Sequence, residues 1–241
     1  MGWISNIGSN TRNPYTKIEP AYPDLCRNKT KAMERLRIYG LWIGSMLCLL
    51  TSCSKAQEGS TGQGDLLTDQ KVLIVYLSRT NNTKALAEII HEKVGGDLVA
   101  LELVTPYPEH YQTTVDQVAD ENATGYLPPL KTTIDIIEKY DVVFIGFPTW
   151  GMQLPPPMKS FLNQYDLGGK TVVPFNTNGG YGIGSSFETV KRLCPDSNVL
   201  EGFSTKGGSE RDGILYVMEG GKEKQVRDKV LEWLTEIGFV E

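Results

Sequence analysis

The sequence predicts an α/β fold: a three-layer, doubly wound arrangement of five parallel strands with helices on both faces. Three observations predict it. Apolar runs rich in β-branched residues recur at 72–77, 142–147 and 170–176, as strands buried on both faces require. Segments with apolar residues at helical spacing stand between them. The regular alternation of the two is the pattern of a parallel sheet whose crossovers are helices.

Taken in order, residues 72–77 (VLIVYL) form the first strand. Residues 82–94 form a helix with Leu86, Ile89, Ile90 and Val94 on one stripe, ended by Gly95-Gly96. Residues 98–104 alternate more and read as a strand nearer an edge. The polar connection 105–130 holds a helix around 111–120, and 133–139 reads as a short helix. Residues 142–147 are a strongly apolar strand, 157–165 a helix, 170–176 a strand, 183–193 a helix and 197–204 a strand. Residues 223–237 close the chain as a helix with Val226, Val230, Trp233, Leu234 and Ile237 inward. Five strands in this arrangement match the strand order 2-1-3-4-5, in which ligands bind beyond the carboxyl ends of the strands where the order reverses. That rule directs attention to the loops after strands one, three and four.

The first of these is Ser78-Arg79-Thr80-Asn81-Asn82-Thr83, which opens a helix. Free backbone N–H groups at a helix N-terminus bind anions, and the helix dipole adds to the attraction. Three hydroxyls and two amides crowd around that point, a neutral cage suited to a phosphate. Arg79 either adds charge or is a solvated loop residue. An ordinary helix cap uses the same residue types, so the loop alone leaves both readings open. The second loop carries Pro148, Thr149, Trp150, Gly151 and Met152. An indole there stacks on a planar ring or packs back into the core. The third carries Thr177, Asn178, Gly179, Gly180, Tyr181 and Gly182, whose glycines either permit close backbone approach to a ligand or make a flexible connection. It is not a GxGxxG fingerprint, and Gly169-Lys170-Thr171 is not a Walker A loop, because position 164 is Gln164 and the segment enters a strand.

The first strand followed by SRTNNTKALA, then FIGFPTWGMQLPPPMKSFL, then GKTVVPFNTNGGYGIGSS, resembles the flavodoxin family, in particular its bacterial flavodoxin-like branch. The resemblance covers about residues 71–238. It implies a flavodoxin-like fold and FMN as cofactor. Ser78 to Thr83 would hold the phosphate, and the loops around Trp150 and Tyr181 would flank the isoalloxazine, with Trp150 the better stacking candidate. Three departures stand out. The connection from the second strand to the third is long and charged. Asn82 occupies a position where many members carry glycine. The segment 205–221, TKGGSERDGILYVMEGG, has no role that the sequence assigns.

The front of the chain reads as an address. Arg35 and Arg37 precede an apolar run, 38–50, that is short for a membrane span and fits the apolar core of a signal peptide. It ends Leu50-Thr51-Ser52-Cys53, which resembles the lipobox of a bacterial lipoprotein. That resemblance implies that Cys53 becomes a lipidated (palmitate-type) N-terminus anchored to a membrane of the cell envelope, facing the periplasm or the surface. The expected organisation is therefore a polar extension (1–32) that is not translated if synthesis starts at Met33, a signal segment (33–53), a flexible tether (54–70) and a flavodoxin-like domain (71–241).

Composition narrows the partners. The net charge is −5, but 1–53 carry seven basic and three acidic residues, which leaves the rest at 17 basic against 26 acidic. So acidic a body argues against nucleic acid. Four cysteines and two histidines, with no CxxC motif, give no zinc spacing. No Ser/His/Asp or Cys/His set points to a nucleophile, and a flavin would supply its own redox chemistry. The expected function is FMN-dependent electron transfer, or reduction of a small acceptor, with an unidentified redox partner. The alternatives are an FMN-dependent NAD(P)H:quinone or azo-type reductase, and a flavin-free lipoprotein binding module of the same fold.

Overall fold

A computed structural model describes residues 70–241. The polar extension, the signal segment with Cys53, and the tether up to residue 69 lie outside the described residues. The elements follow the order β1 (Val72–Tyr76), α1 (Asn82–Val94), β2 (Asp97–Ala100), α2 (Tyr111–Thr124), β3 (Val142–Pro148), α3 (Pro156–Gln164), β4 (Thr171–Asn178), α4 (Ser186–Leu193), β5 (Asn198–Val199), β6 (Phe203–Lys206) and α5 (Gly220–Glu236). The strands form one parallel sheet in the order β2-β1-β3-β4-β5, with β6 continuing the β5 position along β4. This is the doubly wound order expected from the sequence.

Side chains alternate along each central strand, so one apolar run feeds two cores. Val72, Ile74 and Tyr76 of β1 face a core with Leu86, Ile89 and Ile90 of α1 and Val226, Val230 and Trp233 of α5. Leu73, Val75 and Leu77 face the opposite core, with Met158 and Phe161 of α3 and Val190 of α4. The inward stripes read from sequence on the first and last helices are the faces that pack. Phe144 of β3 centres the first core, fully buried, edge-on to both Trp233 and Phe239.

Three elements differ from their sequence expectation. β2 stops at Ala100 rather than reaching residue 104. Beyond it the chain leaves the sheet to meet a returning segment: Leu103 bridges Leu130 antiparallel, and Glu102 accepts from the backbone N–H of Lys131. The short helix expected over 133–139 is a single 3-10 turn, Ile137–Lys139. Too few residues remain to nucleate an α-helix, and the Ile134 N–H is drawn off to the Tyr165 hydroxyl at 2.8 Å. The fifth strand is broken into β5 and β6. Val172 pairs with Val199 and Phe175 with Phe203, so the fifth strand carries one extra residue opposite Pro174. Proline has no N–H for the ladder, and a bulge forms there. The Glu201 carbonyl, turned out of the ladder, accepts from the Trp233 indole at 3.0 Å.

Replacing Phe144 with Ala should cost about 3–5 kcal/mol, the range for emptying a buried aromatic site. The midpoint of chemical denaturation checks this; an unchanged midpoint would place the core elsewhere.

Candidate functional site

The carboxyl ends of β1, β3 and β4 open into a cavity of about 690 Å³. That lies within the range of small-molecule and cofactor sites. The three loops singled out in the sequence meet there. Arg79, Thr80, Asn82 and Thr83 line it from the first loop, Pro148, Thr149, Trp150, Gly151 and Met152 from the second, and Thr177, Asn178, Gly179, Tyr181 and Gly182 from the third. Ser78, Asn81 and Gly180 stand outside the lining.

The first loop is not an ordinary helix cap. Asn81 holds the N-cap position of α1 in the left-handed conformation (φ 62°) and makes no side-chain capping bond. The first backbone bond of α1 runs from Ala85 N to Asn81 O at 2.9 Å. The N–H groups of Asn82, Thr83 and Lys84, ahead of it, are therefore left over, as at any uncapped N-terminus. The Ser78 hydroxyl oxygen is buried and has no hydrogen-bond partner among the described residues. Behind the loop, the Thr83 and Thr177 hydroxyls join at 2.8 Å and tie α1 to the end of β4.

Arg79 faces the long connections. Its Nε donates to both Glu210 carboxylate oxygens at 2.8 and 2.9 Å, Nη1 to the Pro108 carbonyl at 2.9 Å and Nη2 to the Glu109 carbonyl at 2.7 Å. One guanidinium thus joins β1 to the connection before α2 and to the segment before α5. This use of all three nitrogens suits the planar fork of arginine.

Trp150 and Gln153 close a tight turn through reciprocal backbone bonds, with Gly151 and Met152 both at positive φ, the geometry of a type I′ turn. Trp150 is half-buried. Its ring meets Tyr107 edge-on, with centroids 5.3 Å apart. Tyr107 in turn donates to the buried Glu121 carboxylate at 2.5 Å. Burial first, and that bond second, raise the Tyr107 phenol well above its ordinary value, so it stays a protonated donor. The turn is locked to the region after the third loop at Gly184, which has φ 56° and where a Cβ would collide with the Met152 carbonyl oxygen.

The third loop is folded by one side chain. Asn178 Oδ1 accepts from Gly180 N at 2.9 Å and Gly182 N at 3.2 Å. Those two N–H groups are therefore engaged within the loop. Tyr181 is two-thirds exposed (66%), and its hydroxyl accepts from Arg211 at 2.8 Å.

A fourth wall was not anticipated. One face of α2, with Thr114, Val115, Val118, Ala119 and Asn122, lines the cavity. Positions 115, 118, 119 and 122 share a helical face, a signal present in the sequence but assigned to no core. Glu210 and Arg211 also line it. His110 caps α2 by accepting from Thr113 N, and His91 meets the Gly96 carbonyl at 3.0 Å on the far side of α1's apolar stripe. Neither lines the cavity.

The flavodoxin family model matches residues 71–219. The chain belongs to the flavodoxin family. Among solved structures, a candidate flavoprotein from Bacteroides eggerthii is 30% identical, over 72% of this chain and 100% of that one, with a TM-score of 0.58. A candidate flavoprotein from Bacteroides uniformis is 24% identical over 69% and 98%, with a TM-score of 0.57. A flavoprotein from Lactobacillus acidophilus, solved in complex with FMN, is 24% identical over 60% and 98%, with a TM-score of 0.50. In this flavodoxin, then, the cavity occupies the switch in strand order where the fold places its ligands.

Arg79→Ala should free both long connections. Two carbonyls and a carboxylate lose a donor, at a cost of about 1–3 kcal/mol. Amide hydrogen exchange over 105–110 and 207–213 should accelerate while β1, β3 and β4 keep their protection. Unchanged exchange in both segments would remove Arg79 from this role.

Proposed function

We infer that this flavodoxin binds FMN and transfers electrons, or reduces a small acceptor, at a membrane to which lipidated Cys53 anchors it. One observation carries the cofactor reading. The helix that opens onto the cavity is uncapped, and a buried serine hydroxyl beside it has no partner among the described residues. Both deficits are met by a phosphate, which accepts hydrogen bonds from leftover N–H groups and hydroxyls. Ser78 to Thr83 would hold that phosphate, with Thr80 and the first-turn N–H groups nearest. The Trp150 turn and the 177–182 loop would flank the ring system. Their apolar and aromatic surfaces, with Val115 and Val118 of α2, keep water from it. FMN supplies one- and two-electron chemistry when bound, and the protein supplies position and electrostatics.

A reductase of quinone or azo type is the second reading. The apolar face of α2 favours it, because that wall leaves a surface for a flat acceptor beside the flavin. Cell-envelope anchoring rests on the charged, apolar and Leu-Thr-Ser-Cys segments ending at Cys53. An acyl-modified cysteine gives stable attachment when more than one chain is added.

The isolated full-length protein should be yellow and carry about one FMN per chain, held in the cavity at the carboxyl ends of β1, β3 and β4. Protein that is colourless and takes up no added FMN would instead be the flavin-free binding module. Trp150→Ala should weaken FMN and riboflavin alike, by about 0.5–1.5 kcal/mol for the stacking contact. Oxidation of NAD(P)H that depends on an added quinone would select the reductase over the carrier. Mass spectrometry of the membrane-extracted protein should find an acylated N-terminus at Cys53, and Cys53→Ser should release the protein; an unmodified Cys53 refutes the anchor.

A further inference from the structure

Asn82 stands where glycine would be expected from the family resemblance, and 205–221 had no assigned role. The structure joins these two departures. Asn82 is buried at the first position of α1, 3% exposed. Its Nδ2 donates to the Leu215 carbonyl at 2.7 Å, and its Oδ1 accepts from the Val217 N–H at 3.1 Å. A carbonyl only accepts and a peptide N–H only donates, so these two bonds fix which way the amide points. The second hydrogen of Nδ2 then goes to Thr80, whose Oγ1 lies at 2.9 Å and whose carbonyl lies at 3.3 Å. Thr80 Oγ1 is therefore an acceptor toward Asn82. Its own proton has to point elsewhere, and Thr80 lines the cavity.

We propose that Asn82 is a positioning residue for phosphate specificity: held by the backbone of Leu215 and Val217, it turns the Thr80 hydroxyl into a donor aimed at the anion. The segment 207–218 thereby acts on the phosphate end through Asn82. A donor from Thr80 stabilises a phosphate and does nothing for the hydroxyl end of riboflavin that a neutral acceptor could not do. Glycine at position 82 removes the amide's bonds to Leu215, Val217 and Thr80 and leaves the Thr80 proton free to rotate. This proposal rests on the FMN reading for its natural ligand, but its chemistry concerns any phosphate.

The test is a double-mutant cycle in the full-length chain. Dissociation constants for FMN and riboflavin are measured by flavin fluorescence for the wild type, Asn82→Gly, Thr80→Val and the double variant. Each single change should weaken FMN by about tenfold, the scale of one charge-assisted hydrogen bond. The double variant should be little weaker than either single one, because both break the same relay. Riboflavin should change less than about twofold, which a merely structural defect would not spare. Asn82→Ala serves if glycine loosens the first turn of α1, with the thermal midpoint as the folding control. Additive losses, equal losses for riboflavin, or a wild type that does not prefer FMN to riboflavin each overturn the proposal. If the wild type binds neither flavin, titration with inorganic phosphate followed by amide NMR shifts decides. Phosphate binding lost in Asn82→Gly keeps the positioning role and discards FMN; no phosphate binding overturns both.

Discussion

The first turn of α1 is left without a cap, and the site is arranged around that deficit. Four N–H groups at a helix start need acceptors, and a capping side chain contributes about 0.5–2 kcal/mol by supplying one. Here the residue at the cap position is an asparagine, a good capping type, yet it adopts the left-handed conformation and makes no capping bond. Asparagine visits that conformation more readily than most residues. The result is a helix terminus that is less stable alone than it could be and more stable with an anion. The Ser78 hydroxyl, buried beside it with no partner among the described residues, adds to the same imbalance. A local sacrifice of stability of this kind marks sites built for a ligand.

The rest of the architecture keeps that imbalance from relaxing. β1 is buried on both faces and hands the loop over in one direction only. The buried Thr83–Thr177 hydroxyl pair fixes the far side of the first turn to β4. Arg79 and Asn82 then bind two long connections, one before α2 and one before α5, to the same six-residue loop. Loops this long are uncommon without a task. Here each contributes to the cavity: α2 provides an apolar wall, and the 207–218 segment orients polar groups at the phosphate end. The first follows β2 and the second follows β6, the outermost strands on opposite sides of the sheet, so neither interrupts the central strands.

The fold was legible in the sequence because both-face burial leaves a simple trace: continuous β-branched runs, separated by amphipathic helices with readable stripes. Local pattern failed where a distant residue decides the outcome. Nothing near residue 201 announces that Pro174, in the neighbouring strand, breaks the ladder. Nothing near residue 101 announces that the chain leaves β2 to meet Leu130. The cavity loops were legible as places, since topology puts them at one edge. Their internal wiring was not. Ser, Thr and Asn read alike as cap or cage, and only coordinates show that Asn81 declines to cap while Asn178 consumes the Gly180 and Gly182 N–H groups. Arg79 left open an added charge at the site or a solvated loop residue; its pairing with Glu210 is seen only once residues 131 positions apart are brought together.

That pairing leaves an electrostatic problem which the geometry answers. The body from residue 54 onward is acidic, and the one arginine on the loop is neutralised by its partner. An anion cannot be drawn in by net charge. Long-range repulsion, however, is screened beyond about 8 Å at physiological ionic strength. Hydrogen-bond donors act at contact, and in a partly buried site they are stronger than in water. In the proposed site, oriented N–H dipoles and a hydroxyl with its proton set by Asn82 would therefore select a phosphate at close range, while the acidic surface governs encounters at a distance. The two demands are compatible because they act over different lengths, and this is why a neutral loop, rather than a basic one, serves on an acidic body.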